Sequence, residues 1–286
     1  MSPYLLLQVR AFDTHQHLIC PEIFDYPWID SAPALQRSFT IEQYQSLIKD
    51  FPIEGSLFIE VDPHEQQLDK EASHFCQLAE NSDNKLKGVI ASARPEYPNF
   101  ERYLDSISHP ALKGIRRVLY TQAVDLPSQY LFKENVKQLG PRKLTFDLCV
   151  SETQYPACYE LIMHCPETTF ILDHCGRPQI AEHDFAAWES SLQKLADCPN
   201  LYCKLSGIIE QISPQDNALE KLSPYFNTCL ELFGADRILW GSDWPVCELG
   251  GGLDNWLDCT KQYAAKLSAD EQDAWLYGNA AKLYQI

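Results

Sequence analysis

The sequence predicts an α/β protein folded as one (β/α)8 barrel of the TIM type. Three observations lead there. Eight short apolar runs are spaced along the 286 residues, and several are apolar almost throughout, as parallel strands buried on both faces are. The segments between them carry helical spacing. No glycine-rich phosphate loop follows an early strand, which sets aside the doubly wound open sheet. Eight strand–helix units in a chain of this length is the count of a closed barrel. No repeat, linker or low-complexity segment divides the chain, so one domain over residues 1–286 is expected.

The first strand is expected over residues 8–12 and ends at His17, with Cys20-Pro21 opening the loop that leaves it. Residues 1–7 read as a leading strand or a short tail. The next strands are expected over 55–62, 87–95, 112–119, 144–150, 169–176, 200–207 and 237–245. Between them, residues 66–79 place Leu68, Ala72, Phe75, Cys76 and Ala79 at helical spacing. Residues 155–164 and 185–196 behave alike. Ser268-Ala269-Asp270-Glu271 reads as an N-cap with an acidic first turn, opening a helix through Tyr277. Another helix is expected to begin near Asn279.

Composition excludes several classes. There are 23 Lys+Arg against 40 Asp+Glu, a formal net charge of -17. Neutralising phosphates takes clustered cations, so nucleic acid and anionic membrane surfaces are not expected partners. A small anionic ligand stays compatible, because a local arginine cluster makes a positive pocket. No run reaches the roughly 18 apolar residues of a membrane span. The first seven residues carry no basic region and too short an apolar run for a secretory leader. The 11 cysteines are odd in number, lack C-x-x-C spacing and sit mostly in apolar runs. They are expected to be reduced and buried in a cytoplasmic protein. A homodimer is compatible with the sequence, but nothing in it fixes the oligomeric state.

In such a barrel the chemistry sits at the C-terminal ends of the strands. The most informative pair is His15 and His17. Alternate residues of an extended strand share a face, so the two imidazoles aim at one point. That suits a metal ion or a polarised substrate oxygen. The other strand ends supply Glu60 and Asp62, Arg94, Arg116 and Arg117, Asp147, Asp173 and His174, Lys204 and Ser206, and Ser242 and Asp243. His15, His17, His174 and Asp243 are candidates to hold one divalent cation, zinc or manganese. Alternatively, Asp243 is a general base that activates water. Arg116 and Arg117 are adjacent, so one points inward to grip a carboxylate or carbonyl, and the other pairs at the surface. Lys204 is either a substrate ligand or an ion-pair partner. Trp28 either stacks on a substrate ring or plugs the barrel. His64, His74, His109, His164 and His183 lack partner spacing and receive no role.

Seven motifs occur in one order along the chain: Asp13-Thr14-His15-Gln16-His17, Phe24-Asp25-Tyr26-Pro27-Trp28, Lys113-Gly114-Ile115-Arg116, Leu172-Asp173-His174-Cys175-Gly176-Arg177-Pro178, Cys203-Lys204-Leu205-Ser206-Gly207, Gly241-Ser242-Asp243-Trp244-Pro245 and Gly278-Asn279-Ala280-Ala281-Lys282-Leu283-Tyr284. Together they resemble the amidohydrolase superfamily, of the amidohydrolase 2 type. Within it they resemble the lactone-hydrolase branch of L-fuconolactonases, L-rhamnonolactonases and 2-pyrone-4,6-dicarboxylate hydrolases. The resemblance implies metal ligation by the H-x-H of strand one, a histidine of strand six and an aspartate of strand eight. His15, His17, His174 and Asp243 match those places. The fifth strand offers Asp147 and Cys149 where two-metal members carry a histidine or a carboxylated lysine. The resemblance therefore implies a mononuclear site, or none.

The reaction so implied is hydrolytic opening of a sugar (aldono-)lactone or a related cyclic ester. Asp243 takes a proton from the attacking water. His15, His17 and His174, with or without a metal, stabilise the oxyanion. The inward arginine of Arg116 and Arg117 orients the substrate, and Asp147 and Trp28 shape the pocket. The alternative is a metal-dependent decarboxylase of an aromatic or unsaturated acid on the same barrel. A third reading is a binding protein with a decayed site.

Overall fold

A computed structural model describes residues 10–180 and 185–286. The expectations for residues 1–9 and for His183 lie outside the described residues. Eight parallel strands follow chain order: β1 (Ala11–Gln16), β2 (Ile53–Ile59), β3 (Leu86–Ser92), β4 (Leu112–Val118), β5 (Thr145–Cys149), β6 (Phe170–Leu172), β7 (Leu201–Leu205) and β8 (Ile238–Trp240). Each pairs with its chain neighbour, without a crossover. The ring closes just beyond β8. There the Asp243 N–H donates to the His15 carbonyl at 2.7 Å, and the His17 N–H donates to the Trp244 carbonyl at 2.7 Å. The expected (β/α)8 barrel is the fold.

Helices cover the strands from outside: α1 (Ile41–Leu47), α2 (Leu68–Leu78), α3 (Phe100–Ser106), α4 (Tyr130–Lys137), α5 (Tyr155–His164), α6 (Phe185–Ala196), α7 (Ala218–Phe233), α8 (Leu253–Ala264), α9 (Ala269–Asp273) and α10 (Asn279–Tyr284). Strand alternation sorts the apolar side chains into two cores. On β2, Leu57 and Ile59 point into the barrel, where they join Phe12, Ile90, Ile171 and Leu239. Tyr284 of α10 completes this inner core. Phe58 points outward and stacks on Phe75 of α2, ring centroids 3.6 Å apart. Burying one such aromatic face contributes about 1.5–3 kcal/mol.

Two strands are less than half as long as the sequence suggests. β6 stops at Leu172 because His174, Cys175 and Arg177 take φ of 56, 54 and 58°. β8 stops at Trp240, and Asp243 beyond it takes φ 55°. Left-handed backbone cannot continue a strand, and it turns these side chains over the barrel mouth. The helices α1, α3, α4, α7 and α8 go beyond the sequence reading. The helix expected through Tyr277 ends at Asp273 and passes through a π-turn over Ala274–Gly278 into α10. All 11 cysteines are free thiols, and ten of them are buried, as expected of reduced chains.

Glu71 of α2 is fully buried. One carboxyl oxygen accepts the Val61 N–H at 3.2 Å, and the other has no hydrogen-bond partner among the described residues. Burial, and then the charge of Glu60, hold its pKa well above the usual carboxylate range. A raised carboxyl contributes stability that is complete below the unfolded pKa and is lost as pH rises through the folded one. Glu71→Gln keeps the acceptor and removes that loss. Denaturant titrations from pH 5.5 to 8.5 should show the variant gaining on the parent as pH rises, by at most about 1.4 kcal/mol per pH unit. A stability difference that does not change with pH would show that Glu71 is ionised in the fold.

Candidate active site

The site begins with the barrel seam. Asp13 is buried, and its Oδ1 accepts the backbone N–H of His15 at 3.0 Å and of Ser242 at 2.9 Å. Its other oxygen accepts the Tyr44 hydroxyl. One carboxylate thus ties the end of β1 to the loop after β8 and fixes His15, His17 and Asp243 relative to one another.

Hydrogen bonding fixes how the His17 imidazole presents itself. His17 Nδ1 lies 2.9 Å from the Ile59 carbonyl oxygen. A carbonyl only accepts, so Nδ1 carries the proton and Nε2 keeps its lone pair. His15 Nδ1 lies between an acceptor and a donor, 3.4 Å from Asp173 Oδ1 and 3.3 Å from Lys204 Nζ. The two Nε2 atoms are 3.2 Å apart, and they lie 3.4 and 3.3 Å from Asp243 Oδ1. Two imidazole nitrogens and a carboxylate oxygen therefore converge on one point. A tetrahedral zinc with bonds of 2.0–2.1 Å has ligand–ligand edges of about 3.3 Å. His15, His17 and Asp243 fit a divalent ion. His174 stands beside this triangle and groups instead with His15 and Asp173. Its Nδ1 lies 3.0 Å from Ser206 Oγ. A Cβ on Gly207 would come within 2.1 Å of that nitrogen, so only glycine leaves room for the ring.

The charges suit this use. Burial holds His15 well below its usual pKa, against the pull of Asp173, so the ring stays neutral. Burial lowers His174 as well. For Asp243 burial acts upward, but His174, His17 and His15 outweigh it and bring the carboxyl to about 2.

Beneath His15, Lys204 Nζ lies 2.7 Å from Asp147, 3.0 Å from Asp173 and 3.3 Å from His15 Nδ1. Asp147 and Lys204 are fully buried and do not line the cavity, which corrects their expected contact with substrate. They carry His15 from below. Strand alternation settles the arginine pair. Arg116 lines the cavity, its Nε donating to Glu60 at 2.5 Å and its Nη1 lying 3.4 Å from His15 Nε2. Arg117 faces the other way and pairs with Glu96 at 2.7 Å, so it leaves the substrate-binding set. Trp28 lines the cavity, anchored by its indole N–H to the Val61 carbonyl at 2.6 Å.

The cavity holds about 450 Å3 over His17, Arg116, His174 and Asp243. It adds Arg177 and Glu210, to which the sequence assigns no role. Arg177 lies in a motif already singled out, but nothing in its spacing aims it at the mouth. Glu210 follows β7 in a short 3-10 turn without any periodic signal. Burial, and then the charge of Asp243, push its carboxyl up to about 7 against the pull of Arg177.

A (β/α)8 barrel that gathers an H-x-H pair, a further histidine and an aspartate at one mouth defines a hydrolase barrel with a candidate metal centre. The chain belongs to the amidohydrolase family, whose profile matches residues 12–286. It is 26% identical to an L-fucono-1,5-lactonase of Burkholderia multivorans, over 96% of this chain and 95% of that one. It is 23% identical to an L-rhamnono-gamma-lactonase of Scheffersomyces stipitis, over 100% of both chains. A crystal structure of a Burkholderia multivorans amidohydrolase with bound zinc has a TM-score of 0.87 at 26% identity, covering 97% of this chain and 100% of that one. Among the described residues, no helix is long and apolar enough to cross a membrane.

Elemental analysis of the purified protein should find about one divalent ion per chain, as three protein donors around one point require. His17→Ala should lose most of that ion, because two donors remain. An unchanged metal content in the variant would refute the triangle as the binding site.

Proposed function

We propose that this protein opens a sugar (aldono-)lactone, or a related cyclic ester, with water that Asp243 deprotonates. The observation that carries this reading is the ionised Asp243 carboxylate, 3.3–3.4 Å from two imidazole nitrogens on the floor of a cavity that Arg116 also lines. The two lactonases matched over nearly their full length support it.

A divalent ion held by His15, His17 and Asp243 would supply Lewis-acid polarisation of the lactone carbonyl. A carboxylate with a pKa of about 2 is a weak base, so attack depends on strong polarisation of the carbonyl by its surroundings. Arg116, held by Glu60, presents fixed N–H donors where negative charge develops on the carbonyl oxygen. His174 is anchored through Nδ1 to Ser206, which leaves Nε2 for the substrate. Trp28 provides a rigid wall for the ring face. Water adds to the carbonyl carbon while its proton passes to Asp243 Oδ. The acyl–oxygen bond then breaks, and Asp243 returns the proton to the departing ring oxygen. The product is a hydroxy acid.

The test is a pH-indicator assay on a panel of aldonolactones, run with and without a chelator. Asp243→Asn should lower kcat by roughly 10^2–10^4-fold while binding changes little. Turnover near that of the parent would overturn the assignment of the base. Chelation should slow the reaction, and zinc or manganese should restore it. An undiminished rate would assign polarisation to the imidazoles and Arg116 alone. Carbon dioxide release from aromatic acids, without any lactone opening, would replace this reading with the decarboxylase.

A further inference from the structure

We propose that Arg177 and Glu210 form a hydroxyl-reading subsite that selects neutral, polyhydroxylated lactones. The proposal rests on the lactone-hydrolase reading above and names the substituents that the site recognises.

The first observation is an uncompensated guanidinium. Arg94 pairs with Asp62 at 2.7 Å, Arg116 with Glu60 at 2.5 Å and Arg117 with Glu96 at 2.7 Å. Arg177 lines the cavity beside Arg116, yet among the described residues no carboxylate lies within 4.0 Å of it. Its side chain donates no hydrogen bond to any described residue. The guanidinium is nevertheless held in place, with its Cζ 3.6 Å above the Tyr120 ring. Stacking fixes the plane and leaves the N–H groups at the edge free to donate.

The second observation is the complementary acceptor. Glu210 lines the cavity and makes no side-chain hydrogen bond or ion pair among the described residues. It is near enough for the charges of Arg177 and Asp243 to act on it, and Tyr120 feels both Glu210 and Arg177. A donor-only group and an acceptor thus share one cavity without joining each other.

The chemistry of these two groups selects the ligand. A hydroxyl both donates and accepts, so one hydroxyl, or a vicinal pair, satisfies Arg177 and Glu210 together. It also suits Glu210 in either protonation state. A carboxylate substituent would satisfy Arg177 but meet the like charges of Glu210 and Asp243. An apolar substituent would desolvate both groups and pair neither. Sites built to bond a substrate hydroxyl reject the analogue without it more strongly than apolar pockets reject a wrong shape.

The experiment compares aldonolactones with analogues that each lack one hydroxyl, for the parent, Arg177→Gln and Glu210→Gln. The readout is the ratio of kcat/KM within one preparation, which does not depend on the fraction of active protein. In the parent, loss of the recognised hydroxyl should lower kcat/KM by roughly tenfold or more. In either variant the same loss should cost no more than about twofold. Should one variant fail to fold, the other carries the test. Parent-like discrimination in the folded variants would overturn the subsite while leaving the lactonase reading intact. A parent that prefers an acid-bearing lactone to its neutral counterpart would also overturn it. A parent that opens no aldonolactone at all would overturn the functional reading, and the subsite with it.

Discussion

Everything at the barrel mouth depends on how β1 meets β8. Regular pairing has ended by Trp240, and the seam is completed by backbone bonds on either side of Asp243 and by the Asp13 carboxylate. Asp13 is itself buried, so it is tolerable only because three donors surround it. Each bond that it forms satisfies a backbone or phenolic group that would otherwise cost about 1–3 kcal/mol to bury alone. The same bonds turn β1 and the β8 loop so that two imidazoles and a carboxylate meet. Barrel stability and donor geometry are therefore one constraint, and relaxing the seam would spread the donors.

Below the donors lies an unusual distribution of charge. One ammonium, Lys204, serves two carboxylates. Asp173 also faces His15 and stays ionised, well below its ordinary pKa. Asp147 is pushed up to about 6, by burial first. Thr145 donates to Asp147 at 3.3 Å from the opposite side. This layer holds the His15 ring from its Nδ1 side, with Nε2 toward Asp243. Its members reach the chemistry through His15 and through Arg116, whose Nη1 lies 3.6 Å from Asp173, and none of them borders the cavity.

The sequence makes the barrel legible because its strands are buried on both faces and read as apolar runs. β2, β4, β5 and β7 all fall within, or within about two residues of, their expected places. The departures have physical causes. β6 and β8 read too long because the apolar run continues into residues whose backbone turns left-handed at the mouth. α7 contains Pro224, which blurs a helix in sequence, although its Asn217 cap was a readable sign. Within the site, His15, His17, His174, Asp243 and Arg116 were legible because strand ends in a barrel converge. Lys204 and Asp147 looked like cavity residues for the same reason, since position along a strand does not reveal depth. Arg177 and Glu210 sit in loops, where no period links residue to direction.

The strictly sequential order of the sheet has a consequence for how the molecule comes together. Each strand adds beside the one made just before it, until seven strands stand with two unpaired edges. Such edges invite pairing with other chains. The contact that removes them joins Asp13 to Ser242, 229 residues away, so it is among the last that chain entropy allows. That closing step also creates the donor triangle. An incompletely assembled chain is thus both prone to aggregate and without the geometry on which its site depends.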